Sequence, residues 1–181
     1  MGADSASGLG AEGSIFRRLV TFVTTPTGPL WRYCILLCPL GLLPSFLLLA
    51  GVDCLMSWAG VDTASMRAPS RPWNAITLVN TVVLGPPAET LVLAAILRLL
   101  SPLRERKLLL VGLTAVVCAA LHGLLAPLWF FGTVWTFFVF ASAYQTWRAI
   151  SFGAAFAAAA LTHSLANLCV MAISLRVHLT S

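Results

Sequence analysis

The sequence predicts an all-α fold, a polytopic bundle of about five transmembrane helices preceded by an interfacial helix. Three observations predict it. Of 181 residues, 59% are hydrophobic and only 9% charged, whereas a soluble domain carries roughly a quarter charged residues. Mean hydropathy is +0.92, and the apolar residues fall in runs close to the ~20 needed to cross a bilayer. Lys and Arg gather between those runs, where they set membrane orientation. At this length the chain reads as one unit.

The elements follow in order. Residues 1–14 (MGADSASGLGAEGS) are small and polar, a composition that stays disordered. Within residues 15–30, IFRRLVTFV reads as an amphipathic stretch on the membrane surface, and TTPTGP ends it. The first apolar run starts behind Arg17, Arg18 and this Thr/Pro/Gly segment, so no cleavable signal peptide is expected. Residues 1–30 therefore form a tail and interfacial segment, 31–176 the membrane domain, and 177–181 a C-terminal tail.

Five spans are expected. The first runs from Trp31 to Val52, and a polar loop carrying Asp53, Asp62, Arg67 and Arg71 follows it. The second runs from Trp73 to Leu100, broken at Gly85-Pro86-Pro87 so that the prolines open a new helix. After SPLRERK the third runs from Leu108 to Ala126. Pro127 opens an aromatic-rich fourth that ends near Trp147-Arg148, and an Ala/Gly-dominated fifth runs from Ala149 to Leu175. Small residues on every face of the fifth let neighbours approach closely, which makes it central.

With the N-terminus inside, Arg17, Arg18, Arg32, Arg98, Arg104, Arg106, Lys107 and Arg148 lie on the cytoplasmic side. Arg67, Arg71 and Arg176 lie outside. Eight against three favours a cytoplasmic N-terminus, and the small, Ala/Leu-rich spans suit a bacterial inner membrane. Trp31, Trp58, Trp73, Trp129 and Trp147 lie near span ends, as interfacial anchors do.

The same charge distribution excludes a nucleic-acid partner, because the net charge of +5 forms no basic stripe. Five cysteines (Cys34, Cys38, Cys54, Cys118, Cys169) show no CxxC pair, and most lie in apolar runs where a thiol packs as a small hydrophobe.

Of six acidic residues, Glu89 alone lies inside a span. A carboxyl there costs about 2.5–3.5 kcal/mol to insert and marks a functional site by default. His122 and His163 also lie inside spans, and Asn167 follows His163 by one turn on the same face. Counting from the cytoplasmic ends places His122 and His163 roughly 21 Å deep and Glu89 roughly 16 Å deep, so the set can meet in one layer. Each has a plainer role alone. A membrane histidine commonly bonds a backbone carbonyl, and an asparagine can tie two helices for about 0.6 kcal/mol.

Three motifs carry a resemblance to a known family. They are Pro86-Pro87-Ala88-Glu89-Thr90, then Cys118-Ala119-Ala120-Leu121-His122-Gly123, then His163-Ser164-Leu165-Ala166-Asn167 after Thr162. In order and placement the chain, over roughly residues 73–175, resembles the CAAX-protease and bacteriocin-processing family of glutamate-dependent intramembrane proteases. It departs where that family has a second acid, an arginine and a phenylalanine, and here has Thr90, Ala94 and Cys118. The resemblance implies an intramembrane endopeptidase with Glu89, His122, His163 and Asn167 at its centre. Its substrate would be a membrane-associated protein or peptide, and it would use no cofactor or metal.

The residues suit that chemistry. Glu89 and His122 can position and deprotonate one water, while His163 and Asn167 can donate to one developing oxyanion. Ser151 and Ser164 lack a GxSxG-like turn. Other readings use the same residues. Glu89 with two histidines also matches a catalytic zinc shell, although no HExxH is present. His122 and His163 could ligate a haem between helices, and an intramembrane Glu and His suit a proton-coupled carrier. A non-catalytic membrane scaffold is the reading that Thr90 and Ala94 favour.

Overall fold

Long apolar runs without water to bond their backbone must satisfy it internally, so they fold as helices. The structure, a computed structural model, describes residues 17–26, 28–68 and 72–180, with side chains to residue 176. Residues 17–24 form helix α1. Helix α2 spans Leu30–Trp58, α3 Ala75–Leu78, α4 Gly85–Leu99, α5 Lys107–Gly123, α6 Pro127–Trp147 and α7 Phe152–Thr180. Short 3₁₀ turns lie at Ala64–Met66 and Ser101–Leu103, and no strand occurs among the described residues. The expected disordered tail and Arg71 lie outside the described residues. The expected C-terminal tail begins inside α7, which runs on to Thr180.

Among the described residues, four helical stretches are long and apolar enough to cross a membrane: Leu30–Trp58, Ala75–Leu99, Pro127–Trp147 and Phe152–Arg176. The third expected span is shorter. Its helix, α5, has 17 residues and stops at Gly123, and a turn completes the stretch before Pro127 opens α6. The lipid-facing sides stay apolar, with Leu47 74% and Leu108 79% exposed, as a helical membrane bundle requires.

Helices α6 and α7 hold the centre. Helix α6 packs on α2, α5 and α7, and α7 packs on α2, α4 and α6. Ala155, Ala158, Ala159 and Ala166 are buried along α7, so its small residues do let three helices close in. Tyr33 and Trp147 meet edge to face at 5.5 Å at one end of the bundle. There the Tyr33 hydroxyl and the Thr146 hydroxyl both donate to the Val23 carbonyl, at 3.1 and 2.7 Å, and pin α1 to α2 and α6.

Two sequence expectations change. Trp31 and Trp58 are exposed, but Trp147 is buried in the core instead of anchoring an interface, and the half-buried Trp129 packs on a histidine. The Gly85-Pro86-Pro87 segment does not break the second span. Helix α3 runs through a π-helical stretch, Val79–Leu84, directly into α4. Leu84 and Gly85 keep right-handed helical dihedrals. A proline inside an α-helix clashes with the carbonyl four residues back, and the wider π turn moves those carbonyls aside.

Candidate functional site

The π stretch aims α4 at the bundle interior. In it the Gly85 N–H bonds the Asn80 carbonyl, five residues back, and one turn later Glu89 projects towards α5 and α7. Its Oε2 lies 3.5 Å from His122 Nε2 and 3.7 Å from His163 Nε2. Three side chains from three helices therefore converge on one carboxylate oxygen. Side-chain exposure falls from 37% at Glu89 through 19% at His122 to 8% at His163, so the set is graded from cavity to core.

His122 sits near the end of α5, and its Nδ1 lies 3.0 Å from the Cys118 carbonyl. A carbonyl only accepts, so Nδ1 carries a proton and in the neutral ring Nε2 is bare. The bare nitrogen faces Glu89 Oε2, which leaves one proton to be held between the two groups. A pair of this kind can take a proton from a bound water and return it later.

Aromatic rings fix both imidazoles. His163 stacks on Phe140 with centroids 4.5 Å apart, and Phe137 stands edge-on to it at 5.8 Å. His122 meets Trp129 edge to face and Phe137 at a tilt, both at 5.0 Å. Phe137 thus stands between the two histidines. Sequence reading noted the aromatic richness of this span but assigned it no part in the site.

A cavity of about 780 Å³ opens over the set. Helix α2 contributes Leu42, Ser45, Phe46 and Leu49 to its wall, and Trp73 and Pro72 border it at the loop end. Ser45 Oγ is buried in that wall and has no hydrogen-bond partner among the described residues. Other helical hydroxyls, among them Thr114, Thr133, Ser142 and Thr162, bond back to carbonyls of their own helix.

All four expected site residues line this cavity. Asn167 lies one turn from His163, yet its Nδ2 donates to the Thr81 carbonyl at 2.9 Å. The plainer roles are therefore in place as well: His122 bonds a carbonyl of its own helix, and Asn167 ties α7 to the π stretch. Thr90, where the resembled family has its second acid, is buried in the core, and Ala94 packs against that core. Ser151 is the N-terminal cap of α7, accepting from the Ala154 N–H at 3.0 Å. Among the described residues, no group of three or more His, Cys, Asp and Glu has the arrangement of a metal site.

The architecture and site define a helical membrane protein with a carboxylate–imidazole centre on the wall of a cavity. Comparison with protein-family models, with curated proteins and with solved structures finds no match to this chain.

Proposed function

We propose that the protein is an intramembrane endopeptidase that hydrolyses a peptide bond of a membrane-associated protein or peptide. The convergence of Glu89, His122 and His163 at 3.5 and 3.7 Å on the wall of one cavity carries this reading. Glu89 and His122 share the proton of the attacking water, and His163 donates to the oxyanion. Asn167 has a second amide N–H beyond the one bonded to the Thr81 carbonyl, and it can join that donation. The cavity is wide enough for an extended stretch of a few residues, and its apolar wall suits a membrane-borne chain. The excess of basic residues at one end of the spans sets the N-terminus in the cytoplasm, in a bacterial inner membrane.

The test uses purified protein and tagged candidate membrane substrates, comparing wild type with Glu89→Gln, with and without a chelator. Chelator-resistant cleavage that disappears in Glu89→Gln is expected. Cleavage by Glu89→Gln at the wild-type rate would sink the mechanism, and loss of wild-type cleavage with the chelator would move the chemistry to a metal.

A further inference from the structure

We infer that Asn167 is a positioning residue: its bond to the Thr81 carbonyl holds the π turn that sets Glu89 against the two histidines. In an α-helix the Thr81 carbonyl would accept from the Gly85 N–H, and in a π turn from residue 86. Here the Gly85 N–H goes to Asn80, and Pro86 has no N–H to give. Asn167, reaching across from α7, supplies the donor at 2.9 Å.

The fold uses the same device once more. Pro44 in α2 removes the donor that would reach the Leu40 carbonyl, and Trp135 Nε1 from α6 bonds that carbonyl at 2.8 Å. In hydrocarbon a backbone carbonyl that a proline deprives gains by finding another partner, and in these two places a neighbouring helix provides it. Only the Thr81 case lies on the helix that carries Glu89, about two turns upstream of it.

The register of the π turn decides where Glu89 points. A π turn inserts about one residue into the helical register, so relaxing it rotates everything downstream by about 100°. Such a rotation takes Glu89 away from His122 and His163. Gly85 belongs to the same arrangement, since a Cβ there would lie 2.9 Å from the Asn80 oxygen. The consequence for turnover rests on the peptidase reading, whereas the labelling below reads Glu89 without any turnover.

The experiment measures labelling of Glu89 by dicyclohexylcarbodiimide, which adds to protonated carboxyls at membrane depth, with the adduct quantified by mass spectrometry. Four forms of the full chain in lipid vesicles are compared: wild type, Asn167→Ala, Asn167→Ala with Pro86→Ala, and Trp135→Phe. Removing Asn167 parts Glu89 from the imidazoles and raises its labelling about threefold or more, the population shift that goes with a typical interhelical hydrogen bond. Pro86→Ala restores a backbone N–H in reach of the Thr81 carbonyl and brings labelling back towards wild type. Trp135→Phe loses the matching bond to Leu40 and lowers thermal stability, but leaves Glu89 labelling unchanged. Wild-type labelling in Asn167→Ala, or an equal rise in Trp135→Phe, overturns the inference, as does a rise that Pro86→Ala fails to reverse. Should the double variant not fold, amide hydrogen exchange of Asn167→Ala decides. Faster exchange confined to residues 79–85 supports the strut, and unchanged exchange there overturns it.

Discussion

Replacing Gly85 by alanine tests the π turn at its tightest point. An added Cβ would sit 2.9 Å from the Asn80 carbonyl oxygen and 3.6 Å from Glu89 Oε1. The near obstacle is backbone, so it cannot swing aside as a side-chain end would. The Gly85 N–H···O bond to Asn80 must lengthen or break. Where no other donor takes its place, the loss costs about 1–3 kcal/mol. Alanine recovers about 0.5–1 kcal/mol through its helix preference, and the net is a destabilisation of about 1–2 kcal/mol. For a chain of this size that lowers the melting temperature by about 2–8 °C. The assay is thermal unfolding in detergent, followed by a maleimide dye that reports exposure of buried Cys34, Cys38 and Cys118. Gly112→Ala is the control, since nothing lies within 4 Å of a Cβ added there, and it should melt no lower than wild type. If Gly85→Ala melts at or above wild type alongside that control, the account of the π turn is wrong.

Two further outcomes are expected. The Tyr33 and Thr146 hydroxyls converge on the Val23 carbonyl, so Tyr33→Phe or Thr146→Val alone leaves α1 docked by the other bond. The double variant releases it, seen as much faster trypsin cleavage at Arg17 and Arg18 than the single variants sum to; additive rates would refute the shared anchor. The Cys38 and Cys169 sulfurs lie 4.0 Å apart between α2 and α7. A membrane-permeant oxidant such as copper phenanthroline should therefore yield a Cys38–Cys169 linked peptide before any linkage involving Cys54, and mass spectrometry showing the reverse order would refute that packing.

The spans and the site residues were legible because the bilayer makes both conspicuous. A run of apolar residues has one stable fold in lipid, and Glu89, His122 and His163 stand out where ionisable groups are costly. Their depths, counted by helix rise, placed them in one layer, and the structure brings them to one oxygen atom. Pro86 and Pro87 misled because local rules read a proline pair as a helix start. Whether a proline ends a helix or widens it depends on a donor from elsewhere, and Asn167 lies far along the chain from Thr81. Trp147 misled in a similar way. It sits at an element end, but its contact with Tyr33 draws it into the core. The short α5 was read too long because the apolar run continues through Leu124-Leu125-Ala126 after the helix has stopped.

That early stop gives the bundle two hydrophobic thicknesses. Helix α2, with 29 residues, rises roughly 43 Å, and α5, with 17, roughly 25 Å. A hydrocarbon core of about 30 Å matches neither. A helix longer than the core accommodates it by tilting, and a shorter one by local thinning or by snorkelling of flanking residues such as Arg106 and Lys107, at fractions of a kcal/mol per ångström of mismatch. The turn after α5 exposes Leu124 and Leu125 at 83% and 75%, within a few residues of His122. The shortest apolar helix and an exposed apolar turn thus stand together on the flank where α5 delivers its histidine.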